Sequence, residues 1–89
     1  MRIILTEEFE KQYFRLPNYM QLKAEKQQII FANNPFHPSL HTEKLTPKSK
    51  NVWSFRVDKR YRVIFKFAGD DKVYFLTIGP HDWVYKNNF

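Results

Sequence analysis

An α+β fold is expected, in the order β-α-α-β-β-β, with a helical hairpin packed on one face of a small antiparallel sheet. Two observations carry this. Apolar residues recur three to four apart over the first third of the chain, and from Trp53 onward they alternate with polar ones. The alternating runs are separated only by short turn-forming segments, which join neighbouring antiparallel strands. The length of 89 residues suits one domain spanning residues 1–89.

Arg2–Leu5 reads as a short first strand. Thr6 can cap a helix, with Glu7 and Glu8 in the first turn, where carboxylates favour the positive end of the helix dipole. Phe9, Tyr13 and Leu16 then fall on one helical face, and Leu16-Pro17 breaks the helix. A second helix begins at Asn18 or Tyr19. Leu22, Ile29 and Ile30 supply part of its apolar stripe, and Asn33-Asn34-Pro35 ends it. Residues 35–50 hold three prolines and read as loop.

Trp53, Phe55 and Val57 alternate with Ser54, Arg56 and Asp58, the period of a half-buried strand. Asp58-Lys59-Arg60 forms a turn. Tyr61, Val63, Phe65 and Phe67 then alternate with Arg62, Ile64 and Lys66. Ala68–Asp71 is a second hairpin turn. Lys72–Ile78 is apolar on both faces and belongs in the middle of the sheet; Gly79-Pro80 stops it before a short aromatic tail. If the helices cover the aromatic face, Arg56, Arg62, Ile64 and Lys66 share the opposite, partly open face.

The chain contains no cysteine, which excludes disulfides, thiolate catalysis and cysteine-based zinc sites. Its first apolar run is three residues long and acids follow at once, unlike a secretory leader. No apolar run approaches the roughly 20 residues of a membrane span. A cytoplasmic location is expected. The net charge of +6 is unevenly spread. Residues 37–66 hold eight basic residues, Lys44, Lys48, Lys50, Arg56, Lys59, Arg60, Arg62 and Lys66, against Glu43 and Asp58. Such clustering is the electrostatic footprint of a polyanionic partner, although a solvated basic surface has the same composition.

Two guanidinium groups on adjacent strands can grip one phosphate and offset charge that builds up on it. His81, just beyond the last strand, is the residue type suited to general acid or base work near neutrality. Trp83 and Tyr85 lie close by, and aromatics beside a basic surface can stack on unpaired bases. Plainer roles stand beside these: solvated arginines, a surface histidine, and a Trp83 that closes the end of the core. His37 and His41 have a metal-like spacing, but Pro38 opposes a helix there and no carboxylate completes a site, so no metal is expected. There is no glycine-rich phosphate loop, serine nucleophile elbow or catalytic carboxylate pair. An enzyme built this way works without cofactor.

Four segments in order, LP at Leu16-Pro17 with NNPFHPSL at Asn33–Leu40, KLTPKSKNVWSFRV at Lys44–Val57, RYRVIFKF at Arg60–Phe67 and IGPHDWVY at Ile78–Tyr85, make the chain resemble the RelE/ParE superfamily of toxin–antitoxin toxins. FRV followed by YRVIF is the most specific part. The resemblance implies an endoribonuclease that cleaves mRNA in the ribosomal A site and so inhibits translation. The 2′-hydroxyl attacks the adjacent phosphate without a metal, leaving a 2′,3′-cyclic phosphate and a 5′-hydroxyl. It implies catalytic roles for Arg56, Arg62, His81 and Tyr85, and RNA contacts at Lys44, Lys48, Lys50, Lys59, Arg60 and Lys66. RelE itself carries an arginine near the His81 position, so the leaving-group acid differs here. Only four residues follow Tyr85, which leaves no room for a long final helix. The implied partners are a cognate antitoxin, acidic or amphipathic, and the ribosome with its mRNA and rRNA. ParE-type members inhibit DNA gyrase instead, and a degenerate member would only bind its antitoxin.

Overall fold

The computed structural model describes residues 1–46 and 50–85. The elements are β1 (Arg2–Leu5), α1 (Glu7–Phe14), α2 (Asn18–Asn33), β2 (Glu43–Lys44), β3 (Val52–Arg56), β4 (Tyr61–Phe67), β5 (Lys72–Pro80) and α3 (His81–Val84), with a 3-10 turn at Pro38–Leu40. The strands form one sheet in the order β1-β5-β4-β3-β2. No helix among the described residues is long and apolar enough to cross a membrane.

The helical hairpin on one face and the antiparallel β3-β4-β5 meander match the expectation. The sheet is nevertheless mixed, because β1 runs parallel to β5, with Ile3 opposite Val73 and Ile4 opposite Tyr74. The junction after β1 explains this direction. The chain must pass from β1 into α1 above β5, and Thr6 fixes that step: its hydroxyl donates to the Phe75 carbonyl at 2.8 Å and accepts from the Phe9 N–H at 3.2 Å. The stretch expected to be loop holds β2 as well, paired antiparallel to β3. Two residues are too few to show a period.

Phe31 is the centre of the core. It is fully buried, and its ring lies 5.0 Å from Phe55, 4.9 Å from Phe65 and 5.4 Å from Phe75. One ring on α2 therefore joins three strands. Met20 and Ala24 complete the buried side of α2. Gln27, on the same stripe, donates to the Arg56 carbonyl at 2.9 Å and ties α2 to the end of β3. Leu22 and Ile29 do not belong to this stripe: they are 66% and 65% exposed. At 100° per residue they point away from Ala24 and Phe31, and only Ile30 of the expected set packs at the core edge.

The strand phases are as expected. Phe55, Val57, Val63 and Phe65 are buried under the helices, with Trp53, Tyr61 and Phe67 partly buried beside them. The second face departs from expectation at Ile64, which is fully buried with Val52 and Val84 in a small cluster of its own. α3 folds back over this face and covers Ile64. A bulge in β5 prepares the site of that cover. Ile64 pairs with Thr77 and Phe65 with Phe75, so Leu76 is skipped in the ladder. The parity of β5 changes there: Val73 and Phe75 face the helices, then Ile78 does, which turns Gly79 to the second face.

The β3–β4 turn is held from inside by Asp58. Its Oδ1 accepts the Arg60 and Tyr61 N–H groups at 2.8 and 2.9 Å, and its Oδ2 lies 3.6 Å from the Lys23 ammonium of α2. Burial raises the carboxyl pKa, but these hydrogen bonds and the Lys23 charge outweigh it, and the net shift is downward.

Two predictions follow from these contacts. Phe31→Ala should cost about 3–5 kcal/mol in denaturant unfolding, whereas Ile29→Ala should stay within about 0.5 kcal/mol. Because the folded carboxyl of Asp58 lies below the unfolded value of 3.8, its contribution is complete above that pH and is lost as pH falls through the folded pKa. Thermal unfolding of wild type and Asp58→Ala should therefore differ at neutral pH, by about 1–2 kcal/mol, and converge in strong acid; a difference independent of pH would show that the carboxylate charge plays no part.

Candidate active site on the second face of the sheet

Pleat alternation places Ser54 and Arg56 of β3 on the face opposite Phe55. On β4 the same face receives Arg62, and Arg56 and Arg62 are directly opposed across the two strands. Like charges so placed repel, and an anion between them removes the penalty. The two side chains are held differently. Among the described residues the Arg56 guanidinium has no hydrogen-bond or ion-pair partner. Arg62 is 7% exposed, and its Nη1 donates to the carbonyls of Asp58, Lys59 and Tyr61 at 2.8, 3.2 and 3.1 Å. One edge of the Arg62 fork thus secures the turn. No buried side-chain nitrogen or oxygen lacks a partner among the described residues, so the remaining Arg62 donors reach solvent in the cleft.

α3 brings the tail residues to the same place. The His81 N–H donates to the Arg60 carbonyl at 2.6 Å, which fastens the start of α3 to the β3–β4 turn. The His81 ring meets Tyr85 edge to face, with centroids 4.5 Å apart. The Tyr85 hydroxyl lies 3.0 Å from Ser54 Oγ and donates to Glu43 Oε1 at 3.3 Å. Glu43 is there because β2 pairs it with Ser54. His41 and Thr42 complete the rim. His41 has a left-handed backbone, φ 47°, at the end of the 3-10 turn. The result is a polar cleft of about 330 Å³ lined by Arg56, Arg62, His81, Tyr85, Glu43, Thr42 and His41.

All four residues expected to be catalytic, Arg56, Arg62, His81 and Tyr85, therefore border one cleft. Glu43 and His41 were not expected in it. A two-residue strand and a 3-10 turn carry them, and neither leaves a periodic signal. The expected RNA contacts are scattered. Lys59 and Arg60 line a second hollow of about 470 Å³ that shares Arg62 and His81 with the first. Lys50 and Lys66 flank a third depression floored by Val52 and Leu76, farther along the same face. Lys44 lies on the other side of β2, its ammonium 5.8 Å from the Trp53 ring centroid. Lys48 is outside the described residues.

This arrangement can do general acid–base chemistry on an anion. Two arginines paired across β3 and β4 border the cleft, together with a carboxylate that accepts from a phenol and an imidazole packed edge to face on that phenol. The guanidiniums suit a phosphate, the carboxylate can accept a proton, and the protonated imidazole can donate one.

Comparison with known proteins gives the same frame. Residues 4–81 match the model of a family described as the RelE-like toxin of the type II toxin–antitoxin system HigB. An uncharacterised protein of Haemophilus influenzae is 32% identical over 71 residues, covering 74% of this chain and 69% of the relative. Among solved structures, a YoeB/ParE toxin from Agrobacterium tumefaciens superposes with a TM-score of 0.76 at 19% identity, covering 91% of this chain and 99% of that one. YafQ from Escherichia coli superposes at 0.74 with 18% identity over 96% and 99% of the two chains. A chain of the RelB–RelE antitoxin–toxin complex of Methanococcus jannaschii does so at 0.74 with 15% identity over 93% and 95%. At such identities these structures establish a shared fold, while the family model carries the assignment. The chain belongs to the HigB-like family of RelE-like toxins of type II toxin–antitoxin systems.

Proposed function

We propose that this toxin is a metal-independent endoribonuclease that cleaves mRNA on the ribosome. The observation that supports it is the convergence of Arg56, Arg62, Glu43, His81 and Tyr85 on one polar cleft. In this reading the scissile phosphate sits between the opposed guanidiniums of Arg56 and Arg62, which also offset the charge of the phosphorane. Glu43 takes the proton of the 2′-hydroxyl. The 2′-oxygen bonds to phosphorus, the bond to the 5′-oxygen breaks, and protonated His81 gives its proton to that leaving oxygen. The products are a 2′,3′-cyclic phosphate and a 5′-hydroxyl. Tyr85 donates to Glu43 and holds the carboxylate toward the cleft.

The RNA strand continues past His81 over Lys59 and Arg60, and on the other side toward Lys50 and Lys66. Lys44 and Lys48 add to the attraction for mRNA and rRNA, and binding should weaken with salt. The cognate antitoxin is the second partner. Its complementary segment is acidic and lies on the face that holds the cleft.

Primer extension on an mRNA translated in a cell-free extract tests the reading. Wild type should produce new 5′ ends within codons, dependent on translation. Arg56→Ala and Glu43→Gln should each reduce them by about 100-fold or more with an unchanged circular dichroism spectrum. Arg62→Ala is a less clean test than the sequence alone implied. It strips three carbonyls of their donor and should cost about 1.5–3 kcal/mol of stability. Intact mRNA with folded wild-type protein would instead direct attention to gyrase, through a supercoiling assay.

A further inference from the structure

We infer that Gly79 is a positioning residue for the cleft: the absence of a side chain there lets the Trp83 ring dock on β5, and this seating aims His81 and Tyr85. The inference rests on the nuclease reading only for its effect on cleavage.

The geometry begins with the bulge at Leu76, which turns Gly79 to the second face of the sheet, directly opposite Arg62. Trp83 lies over that bare stretch of backbone. A Cβ placed on Gly79 would collide with Trp83 Cε3 and lie 2.7 Å from Cζ3, and it would stand 3.3 Å from Val84 Cγ1. The φ of Gly79 is not in the left-handed region, so the glycine is explained by close approach and not by backbone freedom.

α3 needs this seat because it is four residues long and cannot sustain itself. Besides the Tyr85 hydroxyl bonds just after its end, its contacts include the His81 N–H on the Arg60 carbonyl, Val84 in the cluster with Val52 and Ile64, and the indole on Gly79. The His81, Val84 and Tyr85 contacts hold its ends. The indole on Gly79 sets its rotation, since Trp83 lies between His81 and Tyr85 in sequence. A rotation that relieves a collision at Trp83 displaces the imidazole from the Arg62 wall and the phenol from Ser54 and Glu43.

The test compares wild type, Gly79→Ala, Trp83→Leu and Gly79→Ala/Trp83→Leu. The first readout is independent of activity. In a proton NMR spectrum the His81 imidazole signals carry a ring-current shift from Tyr85, with which it is in edge-to-face contact. Gly79→Ala should remove that shift, and the double variant, with a smaller side chain over the new methyl, should restore it. The second readout is cleavage of mRNA on programmed ribosomes. Gly79→Ala should lower kcat by about 100-fold with KM little changed, as for a misplaced catalytic group, and the double variant should recover most of the loss. An unchanged His81 shift in Gly79→Ala overturns the inference. If Gly79→Ala does not fold, the double variant decides: folding with the shift intact supports the inference, and failure to fold overturns it. An inactive wild type together with the expected NMR pattern would sink the nuclease reading and leave the positioning of α3 standing.

Discussion

The packing of the Phe31 ring against Phe55, Phe65 and Phe75 decides which face of the sheet is covered. Everything that concerns function depends on that choice. In a pleated strand, fixing Phe55 on the helical side fixes Ser54 and Arg56 on the other. Fixing Phe65 does the same for Arg62 and Lys66. A slip of one residue in either strand would send the guanidiniums into an aromatic core and the aromatic rings into water. The cost of that slip, several buried rings against several buried charges, is far larger than anything the cleft itself contributes. The site inherits its register from the core.

A second constraint is local to the cleft. Arg56 and Arg62 oppose one another in the β3–β4 register, where like charges repel. The Arg62 charge is partly offset by three carbonyl oxygens of the turn below it. Those carbonyls are in position because Asp58 closes the turn around its own carboxylate, and Lys23 of α2 leans on Asp58. A chain of contacts therefore runs from the helical hairpin through the turn to Arg62. Arg56 has no such support among the described residues. The two paired arginines thus differ: one is fixed by backbone carbonyls and the other is held by no side-chain bond among the described residues.

How much of this was legible in the sequence varied with the length of the element that carries it. The strands β3 and β4 run for five and seven residues, and their alternation assigned Arg56 and Arg62 to the correct face. β1, α1 and α2 were legible as elements, but neither the short α3 nor the direction in which β1 joins the sheet, which depends on how Thr6 meets β5. The stripe of α2 was misread at Leu22 and Ile29, because the residues that face the core include Ala24 and Gln27, which carry little apolar signal. Glu43 was visible only as one of two acids in a basic segment. Its role depends on a two-residue strand and on a tyrosine 42 positions away. The bulge in β5 left no mark in a run that is apolar on both faces.

The tail shows why the last of these matters. With unbroken alternation β5 would keep Val73 and Phe75 in phase with Gly79, and the glycine would lie under the helices. The skipped residue at Leu76 reverses this and brings Gly79 up beneath the indole, across from Arg62. The same reversal turns Ile78 into the core, which anchors the strand just before the chain leaves it. His81 and Tyr85 then arrive at the cleft on a helix too short to stand alone, carried by a strand that has been re-aimed. One extra residue in a ladder thus links the aromatic core, which sets the register, to His81 and Tyr85, which the short helix after β5 brings to the cleft.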